Sequence, residues 1–419
     1  MLLAHQSNLI KRGVNRKELK EMKLHFLGVI GGGNRGKHLA RLASKTGRAK
    51  IVAVAEPDET QMKLFQREFG LSSDNCYQDY KHLLDSNLRF DGILVTTPPF
   101  CHAEITCACL EKGIPVFLEK PMASNLEDAR KIVDTVKKTG TFLQTGFNCR
   151  YAPFFEKIKE IVSSGQLGKI LSIEWKEIIT PFHWSTYCRY PSYNKRSVIG
   201  SWLLEKCCHD LDLINWLVES PCIRVASFGN RSYFKRRSDT PEYCTDGCPI
   251  EKECIFSAFK FYPELKENVK TSLPKYKTRC VFNSDSDLVD HQSVILEYEN
   301  GVTVCFSLIP LGQNNTRQVY ICGTEATLKG DWIFNKIRLY PHHTNEEVIC
   351  DPELSYEEEH GGADPKIISA FLDSLDNPLN RPKTTEKEGW EAMVVGCGID
   401  LALREHRVVD LKLLSGIRS

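Results

Sequence analysis

The 419-residue chain is 42% hydrophobic and 26% charged, and its 55 Lys and Arg nearly cancel its 54 Asp and Glu, for a formal net charge of +1. These values describe a globular chain long enough for two domains with separate cores, and they give no electrostatic basis for binding nucleic acid or an anionic membrane. Seventeen cysteines scattered through apparent helices and strands, Cys107, Cys109 and Cys305 among them, read as reduced thiols rather than a disulfide framework.

No run approaches the roughly 18 apolar residues of a membrane span, and the first residues lack the apolar core of a secretory signal. A cytoplasmic protein is expected. Residues 1–22 carry Lys11, Arg12, Arg16, Lys17 and Lys20, but Glu18 and Glu21 interrupt them. A solvated arm fits this pattern better than an organelle transit peptide, which is acid-poor.

The apolar run Phe26 to Ile30 reads as a strand and Lys37 to Ala43 as a helix. Between them lies Gly31-Gly32-Gly33-Asn34-Arg35-Gly36, a G-x-G-x-x-G turn in the strand-to-helix context that the motif requires. Gly31 permits the tight turn, Gly33 lets backbone approach a pyrophosphate, and Gly36 lets helix and strand pack closely. The phosphates would lie on the helix N-terminus, beside Asn34 and Arg35. A second strand, Lys50 to Ala55, ends in Glu56, 20 positions after Gly36, where an acid accepts from a ribose 2′-hydroxyl. The same carboxylate repels a 2′-phosphate, so NAD is favoured over NADP.

A helix to Phe69-Gly70 and a short one around Tyr80 to Leu84 lead to a third strand, Gly92 to Thr96. It ends in Thr97-Pro98-Pro99, with His102 just beyond. A helix from Ala103 to Lys112 follows, then the strand Ile114 to Leu118 and Glu119-Lys120-Pro121. Apolar strands alternating with helices indicate a doubly wound parallel sheet, a Rossmann-type α/β domain. Ligands of such sheets bind beyond the carboxyl ends of the strands, which places Thr97, Pro98 and His102 beside the nicotinamide half of the cofactor.

The glycine turn, Thr97-Pro98 with His102, and Glu119-Lys120-Pro121 occur in order over about 90 residues. Together they resemble the glucose-fructose oxidoreductase and inositol dehydrogenase family, Gfo/Idh/MocA. The resemblance implies that Lys120 reaches between cofactor and substrate, with Glu119 also on the cofactor side. The bond before Pro121 is of the kind that tolerates a cis peptide.

Ser124 to Glu127 reads as a capping box for a helix over Asp128 to Lys138, and Phe142 to Phe147 as the last strand of the nucleotide domain. Asn148-Cys149-Arg150-Tyr151 resembles the family's crossover into a second domain. Asn148 and Arg150 either meet substrate hydroxyls or pin the domain junction. The expected division is an arm over 1–22, a dinucleotide-binding domain over 23–147, and a substrate-binding α+β domain over 148–419 with a Cys-rich insert at about 231–285.

After an amphipathic helix over Pro153 to Ser163 and a strand over Ile170 to Trp175, residues 181–193 hold Phe182, His183, Trp184, Tyr187, Arg189, Tyr190 and Tyr193. Such a stretch suits either a sugar ring or a subunit interface. In the block Gly200 to Asp212, the residues Glu205, His209 and Asp212 are spaced i, i+4 and i+7 and share one helical face. Leu204, Cys207, Leu211 and Val218 form an adjoining apolar stripe.

In the resembling family a carboxylate four residues before a histidine, on the helix lining the substrate pocket, positions acid/base chemistry. Here Glu205 stands where aspartate is usual, and Lys206-Cys207-Cys208 where small residues are usual, so substrate identity does not carry over. The implied catalytic set is Lys120, His209 and Glu205, with Lys120, Arg150, His209 and Asp212 toward the substrate.

The insert contains Cys244-x3-Cys248-Pro249-x4-Cys254, with Cys280 farther on. A structural zinc or iron-sulfur site and ordinary free buried cysteines are both compatible with it. The spacing lacks a C-x2-C pair, and no metal is assigned. A hairpin over His291 to Leu308 turning at Asn300-Gly301, then strand-like pieces at Gln318 to Cys322, Thr327 to Lys329 and Lys336 to Tyr340, imply an open, mostly antiparallel sheet. Asp364-Pro365 reads as the cap and first-turn proline of a helix to Leu375. A final helix, Glu388 to Arg404, precedes a short strand, Val408 to Leu411.

The expected activity is hydride transfer between NAD and a secondary alcohol of a sugar, sugar acid or cyclitol. One alternative is cleavage or isomerisation of a glycoside or anhydro-sugar by transient oxidation and elimination. The other is a non-catalytic NAD-binding regulator. The resemblance also implies a homo-oligomer, dimer or tetramer, built through the second domain's sheet.

Overall fold

A computed structural model describes residues 23–191, 193–262, 265, 273–352, 359–377 and 379–415. The expected arm over 1–22 lies outside them. The described chain forms two compact units: residues 23–123, 127–152 and 359–390 make the first, and residues 124–126, 153–352 and 391–415 the second. Among the described residues no helix is long and apolar enough to cross a membrane.

The first unit is built on a six-stranded sheet in the order β3-β2-β1-β4-β5-β6. Its strands are β1 (His25–Ile30), β2 (Ala49–Ala55), β3 (Cys76–Tyr77), β4 (Gly92–Val95), β5 (Val116–Leu118) and β6 (Leu143–Thr145), and every pairing is parallel. Leu27, Val29, Val54, Leu94, Phe117 and Leu118 are fully enclosed. A parallel sheet covered on both faces explains why these strands read as unbroken apolar runs.

One of the covering helices is Ala363–Asp376. Its Phe371 ring meets Phe117 edge-on at 5.8 Å and stacks on Phe142 at 5.9 Å. Gly92 leaves room for it, since a Cβ there would lie 3.0 Å from Phe371 Cζ. This helix therefore belongs to the nucleotide unit, which corrects the assignment of all of 148–419 to the second domain. An amphipathic stripe specifies that a helix covers a sheet, but not which sheet. The helix is capped by Gly362 at φ +79° rather than by Asp364.

The second unit carries a nine-stranded sheet in the order β14-β13-β12-β11-β7-β10-β9-β8-β15. These strands are β7 (Ile170–Ile178), β8 (Cys222–Asn230), β9 (His291–Tyr298), β10 (Thr303–Ile309), β11 (Thr316–Gly323), β12 (Ala326–Asp331), β13 (Lys336–Pro341), β14 (Val348–Ile349) and β15 (Val409–Asp410). The β7–β10 pair is parallel, and the other seven pairings are antiparallel. The hairpin β9–β10 turns through Gly301 at φ +88°. Alternate residues such as Val294, Leu296, Val304, Phe306 and Leu308 are buried, the period-two pattern of a sheet with one covered face.

The helix Trp202–Val218 is buried on nearly all sides. That exceeds the single apolar stripe expected from its sequence.

Candidate active site

Gly31 follows β1 at φ +96°, and a Cβ there would stand 2.7 Å from the carbonyl carbon of Thr96. A Cβ on Gly36 would lie 2.1 Å from Gly31 O, an atom already held by the Thr96 hydroxyl, which donates to it at 2.6 Å. Glycine is required at both positions by space, and at Gly31 by backbone conformation as well. Gly33 caps the helix Asn34–Lys45 with no side-chain hydrogen bond, and nothing stands within 4 Å of where its Cβ would be. The side of the turn that a Gly33 side chain would occupy is therefore open, at a helix N-terminus, the kind of place where anions bind.

Glu56 follows β2, 9% exposed, with Oε1 accepting from Asp58 N at 2.9 Å. The turn and the acid together fit a dinucleotide. Gly36→Ala should destabilise the first unit by about 1–3 kcal/mol or more. Loss of NAD binding with an unchanged melting temperature would contradict that steric account.

Beyond β5, the Lys120–Pro121 peptide is cis. The Glu119 carboxylate accepts from Lys120 N at 3.1 Å and from Arg35 Nε at 2.6 Å. The remaining arms of Arg35 clasp Asp364 at 2.9 and 3.0 Å. Burial opposes this guanidinium's charge, but Glu119 and Asp364 hold its pKa above the usual arginine value. Arg35 and Glu119, both expected at the cofactor, are joined to each other by this clasp.

Asp364 is 1% exposed and also meets His38 at 3.1 Å and Asn148 Nδ2 at 2.7 Å. In the sequence its place is that of a helix cap. Nothing local marks it as the anchor of the glycine turn, because its partner Arg35 lies 329 positions away.

His102 was expected to touch the cofactor, but its ring is fully enclosed. Nδ1 lies 2.9 Å from Pro121 O and Nε2 2.8 Å from Thr97 O. Burial pushes its pKa down, although the two carbonyls favour a protonated ring. The ring positions the Thr97 and Lys120–Pro121 segments instead. Arg150, 5% exposed, donates to Lys383 O at 3.1 Å. With the Asn148–Asp364 bond, this ties the segment to the first unit, to which Asp364 and Lys383 also belong.

In the second unit, Ser201 caps the helix Trp202–Val218 by accepting from Leu204 N at 3.0 Å. Glu205, His209 and Asp212 are 6%, 9% and 1% exposed and follow one another along a single face. Asp210 points elsewhere. It accepts from Trp175 Nε1 at 2.7 Å and from Arg317 at 2.7 and 3.1 Å. Arg317 also pairs with Glu177 at 3.1 Å, and Glu177 in turn with Lys206. Burial pushes the Glu177 carboxyl up, against the pull of Arg317 and Lys206, and burial likewise raises the Cys207 thiol. Lys206, where the family usually has a small residue, thus ties the helix to β7.

The aromatic stretch is partly core. Trp184 is fully enclosed, its ring 3.9 Å from Trp202 and 5.2 Å from Phe234. Tyr187 packs on Trp202 at 5.9 Å, and Arg189 is 1% exposed. Phe182 is exposed and His183, Tyr190 and Tyr193 are intermediate. A continuous sugar platform across 181–193 is not what these positions form.

An open parallel sheet, with a glycine turn leading from its first strand into a helix and an acid after its second strand, defines the class: a dinucleotide-binding domain joined to an α+β unit. Residues 26–147 match the oxidoreductase family with an NAD-binding Rossmann fold, and residues 155–329 match the GFO/IDH/MocA C-terminal domain. The chain belongs to the Gfo/Idh/MocA oxidoreductase family.

A Bacillus subtilis chain designated YteT is 23% identical over 356 residues, which is 77% of this chain and 82% of its own. Myo-inositol 2-dehydrogenase of Thermotoga maritima is 29% identical over 206 residues, 49% of this chain and 58% of that protein. Levoglucosan dehydrogenase, solved with NADH and levoglucosan, superposes with a TM-score of 0.71 at 17% identity, covering 93% of this chain and all of that one. The first unit is thus an NAD-binding domain, and the protein an oxidoreductase.

Proposed function

We propose that the protein oxidises a secondary alcohol of a sugar, sugar acid or cyclitol with NAD. The observation that carries this reading is the helix face on which His209 sits between Glu205 and Asp212, almost wholly enclosed. An imidazole, with an ordinary pKa near about 6.5, suits proton transfer at working pH. His209 accepts the hydroxyl proton, while Lys120 holds the hydroxyl oxygen and stabilises the negative charge that develops there. Glu205 and Asp212, on the same helix face, orient the imidazole. Bound NAD supplies the hydride acceptor, held by the amides after Gly33 and by Glu56. The activities in the names of myo-inositol 2-dehydrogenase and levoglucosan dehydrogenase support a polyol substrate.

The test is a panel of sugars, cyclitols, uronates and glycosides incubated with NAD, followed by NADH absorbance and mass spectrometry. NADH accumulating in step with a ketone product is the expected result. Product formed without NADH would replace net oxidation by redox-neutral cleavage. Glu56→Ala should raise KM for NAD roughly 10- to 100-fold, the loss of one hydrogen bond to a charged group. It should also narrow the preference over NADP, which steady-state kinetics with both cofactors would measure.

A further inference from the structure

Arg35 is the second residue of the helix Asn34–Lys45, so its backbone belongs to the first turn, where the pyrophosphate is expected. Its guanidinium spans two carboxylates. Nε donates to Glu119 Oε1 at 2.6 Å, while Nη1 and Nη2 donate to the two oxygens of Asp364 at 2.9 and 3.0 Å. A planar fork that meets one acid along its side and another at its end fixes the two acids relative to each other. Asp364 also accepts from Asn148 Nδ2 at 2.7 Å, so this end of the fork is anchored independently of Glu119.

Glu119 has little freedom of its own. It follows β5, donates its N–H to Val95 O at 2.9 Å and is 6% exposed. Gly146, after β6, makes room for it, since a Cβ there would stand 3.2 Å from Glu119 Cα and 3.4 Å from its carboxylate carbon. One carboxylate oxygen takes Arg35, and the other accepts from Lys120 N at 3.1 Å. On the far side of Lys120, the carbonyl of Pro121 meets the enclosed His102 Nδ1 at 2.9 Å. The backbone of Lys120 is thus held from both directions.

Stability alone does not account for the buried acid. Apolar side chains of similar volume in the place of a buried ion pair are often no less stable. Alignment does account for it. The turn that receives the cofactor phosphates and the backbone that carries Lys120 are set in register by one rigid connection.

We propose that Glu119 is a positioning residue for Lys120, and that Arg35, anchored by Asp364, ties it to the cofactor turn. This rests on the reading that Lys120 meets the reacting hydroxyl. A displacement of about 1 Å at a reacting group costs on the order of 10²-fold in rate, so loosening the connection lowers kcat. In Glu119→Gln one carboxylate oxygen becomes an NH₂, which accepts no hydrogen bond. Either the Arg35 or the Lys120 bond is lost, while Asp364 still clasps Arg35 and the turn stays in place. Asp364→Asn acts at the other end, on the anchor of the turn itself.

The experiment is a double-mutant cycle of Glu119→Gln and Lys120→Met in the full chain, reading NADH absorbance with the fastest alcohol of the panel and NAD binding by fluorescence. Glu119→Gln is expected to lower kcat about 10- to 100-fold, to leave the Kd for NAD within about twofold, and to cause no further loss in the Lys120→Met background. Asp364→Asn should lower kcat and also raise the Kd for NAD about 5- to 12-fold, the loss of roughly one hydrogen bond. An equal Glu119→Gln loss in both backgrounds would overturn the positioning role, as would full activity or an equal loss of NAD affinity. Unchanged NAD binding in Asp364→Asn would overturn the tie to the turn.

Lys120→Met alone tests the underlying reading. Full turnover there removes Lys120 from the chemistry and the positioning role with it, whereas a large loss there with an additive Glu119→Gln loss overturns the positioning role only. If Glu119→Gln fails to fold, Arg35→Lys takes its place in the cycle, since a single ammonium can stay with Asp364 but gives up the planar bond to Glu119.

Discussion

His209→Ala and Lys120→Met are each expected to lower kcat by about 10²- to 10⁴-fold, the range of positioned acid/base catalysis, while the Kd for NAD stays within about twofold. The reasoning is differential. In the mechanism we propose, His209 receives a proton only as the alcohol is oxidised and Lys120 stabilises charge that is absent from the bound alcohol, so each loss would belong to the transition state. A fall in kcat and kcat/KM together is the signature of such a group, whereas a rise in KM alone would mark a substrate anchor.

Turnover on the best alcohol found in the panel, with NAD binding followed by fluorescence, separates these cases. Unchanged turnover in both variants would remove the assignment. Glu205→Gln should show a smaller loss, because it keeps the shape that orients His209 and removes only the charge. Glu205→Ala should approach the histidine variant. That contrast marks a positioning residue.

The parts of the site that the sequence carries openly are those made by neighbouring residues. The glycine turn is one. The clash of a Gly36 Cβ with Gly31 O and the positive φ of Gly31 are set within a six-residue segment, so the spacing alone announces them. The positions of Glu56 and Lys120 are legible for a related reason: each follows a strand of a parallel sheet, and the strand pattern locates the edge of the sheet where such folds bind ligands.

The contacts that support this turn are a different matter. Arg35 was legible as part of the loop, but its clasp by Asp364 spans two distant segments, and only the fold brings them together. The helix Ala363–Asp376 was visible as a helix and misplaced as a domain member for the same reason. His102 shows a further limit. A histidine after a strand end looks like a ligand, and only its enclosure by Thr97 and Pro121 carbonyls reveals a scaffold. In 181–193 an aromatic composition is shared by sugar sites, interfaces and cores, and Trp184 and Tyr187 went to the core.

Asp210→Asn is expected to destabilise the second unit by roughly 3–5 kcal/mol, the cost of stranding a buried charge. For a unit of this size that corresponds to a fall of about 6–20 °C in its melting temperature. Asp210 is fully enclosed and Arg317 5% exposed, so neither ion has water to replace a lost partner. Two cations, Lys206 and Arg317, balance two acids, Glu177 and Asp210, within one set of contacts.

Removing one negative charge leaves Arg317 and Lys206 to share Glu177. The amide would keep a hydrogen bond to Trp175 Nε1, now 2.7 Å away, so the loss isolates charge rather than shape. Because the network fastens the helix Trp202–Val218 to β7 and β11, the variant should also raise KM or lower kcat through displacement of His209. A joint replacement, Asp210→Leu with Arg317→Met, should recover much of the stability, since an uncharged pair avoids the desolvation cost. Differential scanning calorimetry of the single and joint variants measures the coupling directly. Independent, additive losses would show that the four side chains do not act as one network.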